Sequence, residues 1–326
     1  MKIGFFEIER KWEREYLKEK LKRHNLKFFE DELTLKNVDK VKDVDVLSVF
    51  VYSEITEEIL DLLPKLKLIC SMSTGVDHIN LEECKRRRIR VESVPHYGEN
   101  TVAEYTFALI LTLSRRIMEA CEKVREGKFE HEGLTGFDLK GKTIGVIGVG
   151  HIGEHVVKIA KGFEMKVLGC ARKPNKKLAR KLGFRYCSLE TALKKSDVIT
   201  LHLPLTPGTK NIINQKNINL VKKGALLINT SRGGIVETDA ILKGLKNRKL
   251  SGVGLDVLEE ECFIKEETEL LSKKSKKSYD LRTLIQNHIL LKHPKVIITP
   301  HNAFNTKEAL TRIMDTTVEN IKQFRK

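Results

Sequence analysis

The sequence predicts an α/β protein whose strands form parallel sheets in two domains. Three observations support this prediction. The chain has 326 residues, which is enough for two domains with buried cores. Short apolar runs alternate with amphipathic helical segments along most of it. A glycine-rich turn also joins one apolar run to a helical segment, as in nucleotide-binding folds.

The first half of the pattern predicts one sheet. Helices are predicted at about residues 10–24 and 56–63, between apolar runs that are interpreted as strands. Because strand and helix alternate, the sheet is expected to be parallel and covered on both faces. In chain order the predicted strands are KIGFF, LKFFE, VDVLSVFV, LKLICSM and RVESV.

The second half predicts another sheet of the same kind. It follows residues 99–129, which are predicted to form one long helix, partly buried between domains or subunits because its apolar face is wide. A final helix at about 306–325 has no strand after it and is predicted to pack back on the first domain. Residues 259–292 are predicted to be irregular, and no function is predicted for residues 262–292. The predicted strands are TIGVIG, KVLGC, DVITLHLP, ALLINT, GVGLDV and VIITPH.

Composition excludes several classes of protein. The formal net charge is +16, but the lysines are spread along the chain and only 6% of residues are aromatic, so no nucleic-acid partner is expected. No apolar run reaches the roughly 18 to 20 residues of a membrane span, and the charged N-terminal residues do not resemble a signal peptide. A cytoplasmic location is expected. The six cysteines include no CxxC pair, so neither a disulfide framework nor a cysteine metal site is predicted.

The glycine-rich turn predicts a dinucleotide site. Gly148 would allow a tight turn, Gly150 a close approach of the backbone to a pyrophosphate, and Gly153 close packing of helix against strand. The helix N-terminus would then offer N–H groups to the phosphates. A turn that merely joins strand to helix is the structural alternative. His151 and His155 lack the adjacent glutamate of the zinc-protease motif, so no metal is predicted.

The end of the next strand favours NADP over NAD. A carboxylate there would bind the ribose 2′-hydroxyl, whereas an arginine accommodates a 2′-phosphate. This chain has Ala171, Arg172 and Lys173 at that position, followed by Lys176 and Lys177. The alternative interpretation is that these cations belong to the general excess of lysine and that NAD is used.

Three further strand ends carry polar residues suited to chemistry on a 2-oxo acid. Arg232 would bind the carboxylate and polarise the carbonyl, and His301 would donate a proton to the carbonyl oxygen. Glu261 would orient His301, although composition alone does not choose among the consecutive residues 259–261. Each residue also has a structural alternative. Arg232 would brace a turn, His301 would be a turn histidine with its hydrogen bonds satisfied, and Asp256 would cap a helix or turn.

These motifs resemble the D-isomer-specific 2-hydroxyacid dehydrogenases, and the resemblance covers nearly the whole chain. Among these enzymes the ending PHNAFNT and the insert before it resemble the D-lactate dehydrogenase branch. The motifs that carry the resemblance are STGVDHIN, PHYGENTVAE, GVIGVGHIG, VITLHLPLTPGTKNIIN, LLINTSRGGIVETDAI, GLDVLEEE and IITPHNAF.

The resemblance implies two Rossmann-like or flavodoxin-like domains with a cleft between them. Residues 1–99 with 302–326 would form a discontinuous substrate domain, and residues 100–301 the dinucleotide-binding domain. The catalytic residues would be Arg232, Glu261 and His301, with Glu261 chosen because it stands five residues after Asp256. Since the acid of NAD-binding members aligns with Ala171, the NAD preference does not carry over. The helix beginning near Thr101 is similar to a dimerisation helix, which implies a homodimer.

Binding residues are implied in the same way. Asp256 would contact the nicotinamide amide. Gly75, Val76 and Tyr97 would hold the substrate together with Arg232 and His301, and its side chain would be selected near Tyr52, Tyr97 and Phe304. The remaining implied cofactor contacts are Gly148, Gly150, His151, Ile152, Gly153, Ala171, Arg172, Lys173, Leu203, Pro204, Thr209, Thr230, Ser231 and Arg232.

The expected activity is reduction of a small 2-oxo acid, pyruvate or a near relative, to the D-2-hydroxy acid with NADPH or NADH. Two alternatives remain at this stage. One is a reductase of glyoxylate or hydroxypyruvate. The other is a non-catalytic, cofactor-sensing interaction protein, because the family also includes transcriptional corepressors. The intact set of Arg232, Glu261 and His301 favours an enzyme.

Overall fold

The computed structural model describes residues 1–259 and 281–324. The chain divides into two compact units, Met1–Tyr97 with Asn305–Lys326, and Gly98–Phe304. The ranges drawn from the sequence, 1–99 with 302–326 and 100–301, differ from these units by two or three residues. Each unit contains one parallel β-sheet, which confirms the predicted α/β class.

The elements follow the predicted alternation closely. None of the helices in the described part of the chain is both long and apolar enough to cross a membrane. The strands are β1 Lys2–Phe5, β2 Asn25–Phe28, β3 Val46–Val49, β4 Leu68–Ser71, β5 Arg90–Glu92, β6 Thr143–Ile147, β7 Lys166–Cys170, β8 Arg185–Tyr186, β9 Val198–Leu201, β10 Ala225–Asn229, β11 Leu250–Leu255 and β12 Val296–Ile298. The α-helices are α1 Lys11–Lys20, α2 Glu57–Asp61, α3 Leu81–Arg86, α4 Glu99–Ser114, α5 Ile117–Arg125, α6 His151–Gly162, α7 Lys176–Leu182, α8 Leu189–Lys195, α9 Thr238–Lys246, α10 Leu281–Leu291 and α11 Lys307–Gln323.

The first unit is a five-stranded parallel sheet in the order β2-β1-β3-β4-β5. Its inner strands β3 and β4 are buried at every position, as expected for parallel strands that are covered on both faces. The apolar runs that predicted these strands therefore have no polar alternation.

Helix α11 completes the first unit from the far end of the chain. Thr306 caps it by accepting a hydrogen bond from the Ala309 N–H, and the helix packs against α1 and β4. Arg312 Nε donates to the Tyr97 carbonyl oxygen at 2.6 Å, and Asn320 Nδ2 donates to the Ser93 carbonyl oxygen at 3.1 Å. These bonds join the helix to the segment that follows β5.

The second unit is a seven-stranded parallel sheet in the order β12-β11-β10-β9-β6-β7-β8. Consecutive β10 residues face opposite sides, because Leu227 lies in one hydrophobic cluster and Leu226 and Ile228 lie in another. The strand order reverses between β6 and β9. In open α/β sheets, ligands bind outside the carboxyl ends of the strands at such a switch point.

The predicted long helix at 99–129 is wrong, because the structure breaks it into α4 and α5. Arg116 has a left-handed backbone with φ of +53° at the break. The Ser114 carbonyl accepts from the distant Phe137 N–H at 2.9 Å. A Cβ on Gly136 would lie 2.1 Å from that same carbonyl oxygen, so glycine permits the approach. A returning loop therefore takes the acceptor that a continuing helix would need.

We expect Ile321→Ala to lower the free energy of unfolding of the first unit by about 2–4 kcal/mol, since it removes a fully buried side chain of α11. The matched control Lys322→Ala alters an exposed neighbour and should change it by less than about 0.5 kcal/mol. The single tryptophan, Trp12 in α1, reports urea unfolding of this unit by fluorescence. Equal effects of the two substitutions would contradict the packing of α11.

Candidate active site

The glycine turn after β6 has the geometry that its spacing predicts. Gly148 has φ of +100°, and a Cβ there would lie 2.2 Å from the carbonyl oxygen of His202. A Cβ on Gly153 would lie 2.2 Å from the Gly148 carbonyl oxygen. Beside Gly150, by contrast, a Cβ would meet nothing within 4 Å. Two glycines thus permit close packing of backbone, and the third borders open space.

The start of α6 provides the donors that a dinucleotide phosphate requires. Gly150 is the N-cap residue of this twelve-residue helix and offers no side-chain acceptor to the first-turn N–H groups. The Gly148 N–H is already bound, because it donates to the Cys170 carbonyl oxygen at 2.8 Å. An uncapped helix N-terminus beside open space fits a pyrophosphate.

The carboxyl end of β7 exposes four cations beside this turn. Ala171 is half-buried, whereas Arg172, Lys173, Lys176 and Lys177 are exposed. Within residues 1–259 and 281–324, none of these four side chains has an ion-pair partner within 4.0 Å. Nothing in this described part of the chain therefore neutralises the positive charge at the strand end.

The loop after β9 lies against the glycine turn. A Cβ on Gly148 would lie 2.9 Å from the Leu203 side chain, and a Cβ on Gly234 would meet the Leu205 side chain at 3.4 Å. The Thr209 hydroxyl donates to the Pro204 carbonyl oxygen at 2.5 Å and closes the loop. The predicted cofactor contacts Leu203, Pro204 and Thr209 therefore belong to one compact loop at the switch point.

His202, which sequence reasoning did not select, contributes a neutral imidazole to this loop. Its Nε2 lies 2.9 Å from Thr200 Oγ1, and its buried Nδ1 has no hydrogen-bond partner among the described residues. Burial lowers the pKa of His202 to about 3. The ring therefore carries no charge near neutral pH. The position of His202 directly after the apolar run of β9 was the one signal in the sequence that could have identified it.

The loop after β10 positions Arg232. The buried Asn229 side chain donates from Nδ2 to the Arg232 carbonyl oxygen at 2.9 Å and accepts from the Ser231 N–H at 3.1 Å. Gly233 permits a close approach, because a Cβ there would lie 1.9 Å from the Leu258 carbonyl oxygen. Asn229 was missed in the sequence, although asparagine commonly bonds to backbone two or three residues ahead.

The Thr230 side chain is used in a buried contact within the unit, whereas the Arg232 side chain is only half-buried. The Thr230 hydroxyl lies 3.0 Å from the Thr106 hydroxyl in a buried contact with α4, so this side chain is used inside the unit. Arg232 is half-buried, and its Nη1 donates to the Ser231 carbonyl oxygen at 2.8 Å. A guanidinium presents five N–H donors in a planar fork that matches the geometry of a carboxylate.

Asp256, at the end of β11, braces the loop that carries His301. The carboxylate is 1% exposed and accepts from Thr299 Oγ1 at 2.6 Å and from the N–H groups of Asn302 and Ala303 at 2.8 Å each. The Asp256 carbonyl oxygen also accepts from the His301 N–H at 2.9 Å. These bonds hold His301 in a left-handed backbone conformation with φ of +51°.

Burial raises the pKa of the Asp256 carboxyl, and the hydrogen bonds from Thr299, Ala303 and Asn302 act in the opposite direction. The structure therefore provides the turn-capping role that was the alternative for Asp256. A carboxylate has about four acceptor sites, so three bonds do not exclude a further contact with a nicotinamide amide.

Glu259, the first of the three consecutive glutamates, has a structural role. Glu259 Oε2 accepts from Thr238 Oγ1 at 3.0 Å and from the Thr238 N–H at 3.3 Å, at the start of α9. This carboxylate is therefore committed to a helix terminus. Glu260 and the predicted catalytic residue Glu261 lie outside the described residues.

In the first unit, Gly75 and Val76 form a peptide with a fixed orientation. Ser73 Oγ donates to the Gly75 carbonyl oxygen at 2.7 Å. Because a trans peptide directs its N–H away from its carbonyl, the Val76 N–H lies on the opposite side. Neither the Gly75 N–H nor the Val76 N–H donates a hydrogen bond to any of the described residues. Tyr97, half-buried, accepts from Arg312 through its carbonyl oxygen.

Glu7, two residues after β1, is a third residue that sequence reasoning missed. Its carboxylate accepts from the N–H groups of Phe50 and Tyr52 at 2.9 Å each and from Ser53 Oγ at 2.6 Å. Burial raises its pKa, and these hydrogen bonds oppose the rise. Glu7 thereby orders the backbone around Tyr52, which is implied in substrate selection.

The contacts of the second unit run along the carboxyl ends of β6, β9, β10, β11 and β12. A glycine-rich turn at a switch point, with an arginine after β10 and a histidine after β12 on the same edge of the sheet, is typical of dinucleotide-dependent oxidoreductases. Residues 107–303 match the model of the D-isomer specific 2-hydroxyacid dehydrogenase, NAD binding domain. The chain belongs to the D-isomer-specific 2-hydroxyacid dehydrogenases, in the D-lactate dehydrogenase-like branch, and is an enzyme with a nicotinamide cofactor.

Individual relatives agree with this assignment. The D-lactate dehydrogenase of Escherichia coli is 36% identical over 306 residues, which cover 92% of this chain and 89% of that protein. The glyoxylate reductase of Thermococcus litoralis is 36% identical over 296 residues, which cover 89% and 83%. A crystal structure of D-lactate dehydrogenase from Aquifex aeolicus, complexed with NAD and lactic acid, has a TM-score of 0.88 and 37% identity, and the match covers 99% and 95% of the two chains.

We expect Gly153→Ala to weaken NADPH binding at least tenfold and to destabilise the second unit by about 1–3 kcal/mol, because the added Cβ meets the Gly148 carbonyl oxygen. Gly162→Ala is the matched control in the same helix, where a Cβ meets nothing within 4 Å. Nucleotide titration by fluorescence and thermal unfolding measure the two effects. Wild-type affinity in Gly153→Ala would refute the role of this turn.

Proposed function

We propose that the protein reduces a small 2-oxo acid of the pyruvate type to the corresponding D-2-hydroxy acid. The observation that carries this proposal is the bracing of Arg232 by Asn229 and of His301 by Asp256. The two bracing residues stand at the carboxyl ends of the adjacent strands β10 and β11, on the same edge of the sheet as the glycine turn. The Escherichia coli and Aquifex aeolicus D-lactate dehydrogenases support the choice of substrate.

The proposed mechanism uses the chemistry of each side chain. A bound reduced nicotinamide supplies the hydride. Arg232 binds the carboxylate of the substrate with its planar donors and polarises the adjacent carbonyl. His301 donates a proton to the carbonyl oxygen as negative charge develops there, and Glu261 orients the imidazole. Asp256 contributes by holding the His301 backbone, in addition to a contact with the nicotinamide amide.

The proposal assigns substrate contacts in the first unit to Gly75, Val76 and Tyr97. The Gly75 and Val76 N–H groups are suited to an anionic oxygen, because charge-assisted hydrogen bonds from backbone donors are strong. The serine that holds the Gly75 carbonyl supports this role, since it keeps the peptide in one orientation. The two units are accordingly proposed as a substrate domain and a dinucleotide-binding domain.

We further propose that NADP is preferred to NAD. In this type of fold, a carboxylate at the end of the strand after the glycine turn binds the ribose of NAD. In this chain that position is Ala171, and the exposed residues Arg172 and Lys173 follow it directly. Each charge-assisted hydrogen bond to a 2′-phosphate contributes about 1.5–3 kcal/mol. One such bond is enough for a preference of roughly tenfold.

A homodimer in the cytoplasm completes the proposal. Helix α5 exposes Ile117, Met118 and Val124, and the segment that follows it exposes Phe129 at 92%. Exposed apolar residues that cluster in one segment favour a protein interface. The free cysteines of the described chain agree with a reducing compartment.

Glyoxylate or hydroxypyruvate is the second candidate substrate, favoured by the similarity to the glyoxylate reductase of Thermococcus litoralis. A panel of 2-oxo acids, followed at the absorbance of reduced nicotinamide with both cofactors, distinguishes the candidates. Cofactor binding without turnover on any member of the panel would instead favour a sensing protein.

Arg172→Ala is expected to raise the KM for NADPH about tenfold and to leave the KM for NADH nearly unchanged, because only NADPH carries the 2′-phosphate. Arg180→Ala, an exposed arginine in the last turn of α7, is the matched control and should change neither value. Steady-state kinetics with both cofactors provides the measurement. A wild-type preference for NAD above tenfold would refute the NADP proposal.

His301→Ala is expected to lower kcat about 10²–10⁴-fold with little change in NADPH affinity, because it removes the proton donor. Arg232→Lys should mainly raise the KM for the 2-oxo acid, since a lysine lacks the bidentate fork. Steady-state kinetics and nucleotide titration separate the two effects. Near-normal turnover of His301→Ala would exclude His301 as the acid.

A further inference from the structure

Two cysteines lie side by side at the end of β7. Cys170 is the last residue of this strand, and Cys187 directly follows its neighbour β8. The parallel register pairs Leu168 with Arg185 and Gly169 with Tyr186. The Cys187 N–H then donates to the Gly169 carbonyl oxygen at 2.9 Å, which extends the ladder by one residue. Cys170 and Cys187 are therefore the next pair in register.

This register is compatible with a disulfide. Neighbouring parallel strands lie about 4.8 Å apart, within the Cα–Cα range of roughly 4.4–6.8 Å that disulfides accept. Both cysteines pack against the same hydrophobic cluster, which also contains Ile147 and Leu193. Their side chains consequently lie on the same face of the sheet.

The two thiols are also accessible. Both are free and only partly buried, unlike the buried thiols of Cys70 and Cys84. Strand β8 has two residues and forms the edge of the sheet, so little restrains a small movement toward β7. The pair therefore has both exposure and freedom to react.

We propose that Cys170 and Cys187 form a reversible disulfide that weakens binding of the nicotinamide dinucleotide. The bond itself depends only on the register, whereas its effect on affinity rests on the cofactor site proposed above. In reducing compartments, disulfides are mostly transient and regulatory.

The oxidant is a small-molecule disulfide such as oxidised glutathione. One cysteine thiolate attacks a glutathione sulfur, forming a mixed disulfide and releasing one glutathione thiolate. The second cysteine then attacks the mixed disulfide at the protein sulfur and releases the other. The two cysteines lose two electrons and two protons, and the oxidant becomes two molecules of reduced glutathione.

The surroundings favour Cys187 as the first nucleophile. Burial raises the pKa of both thiols. The pKa of Cys170 is raised further by Cys187, whereas the Lys195 ammonium opposes the rise at Cys187. A lower pKa increases the fraction of reactive thiolate at neutral pH.

The disulfide would act on the cofactor site through two connections. The Cys170 carbonyl oxygen accepts the Gly148 N–H at 2.8 Å, so movement of Cys170 changes the glycine turn. Ala171 and Arg172 follow directly in the chain. A disulfide requires the two Cβ atoms to approach to about 3.8 Å, which is closer than the spacing of parallel strands. Both the phosphate turn and the ribose edge would shift.

The test uses the whole protein incubated with oxidised glutathione. Non-reducing peptide mass spectrometry is expected to find the peptides of Cys170 and Cys187 linked, with loss of two hydrogens and reversal by dithiothreitol. Fluorescence titration with NADPH should show at least fivefold weaker binding after oxidation and full recovery after reduction.

Cys170→Ser and Cys187→Ser should each abolish the linked peptide and the loss of affinity. Cys121→Ser, which removes an exposed thiol on α5, is the matched control and should retain both. Absence of the link while Cys121 becomes glutathionylated would overturn the proposal, as would a link with unchanged affinity. The linked peptide is detected without nucleotide, so it tests the disulfide separately from the cofactor site. The affinity of the reduced protein for NADPH tests the proposed cofactor site.

Discussion

The close approach of Gly148 to the carbonyl of His202 is the constraint on which the second unit's site depends. With a Cβ only 2.2 Å from that oxygen, no other residue fits without displacing backbone. The approach brings the end of β6 against the loop after β9 at the point where the strand order reverses. Helix α6 then begins beside open space with no side-chain cap at its N-terminus, an arrangement that suits a phosphate.

The positions of Arg232 and His301 depend on a second set of interactions, in which buried polar groups at strand ends hold loops. Asn229 binds the backbone of the loop that carries Arg232, and Asp256 binds three donors in the loop that carries His301. The unusual backbone of His301 is maintained by these bonds. Support of this kind holds the two loops in one conformation, which is what a pre-organised site requires.

Much of this arrangement could be predicted from the sequence because it follows from local spacing. The roles of Gly148, Gly150 and Gly153 depend on positions within six residues, and the apolar runs identified the inner strands of both sheets. The break after α4 could not be predicted, because the Ser114 carbonyl is taken by Phe137 from a distant loop. The bracing role of Asp256 likewise depends on partners 43 to 47 residues away.

The placement of α11 has a consequence for synthesis on the ribosome. The helix belongs to the first unit but is translated only after the whole of Gly98–Phe304. Domains generally fold as units and in N-terminal order. In this chain, however, the apolar surface of the first unit that receives Ile313 and Ile321 stays uncovered until α11 has been made. The second unit can therefore complete its core before the first unit does.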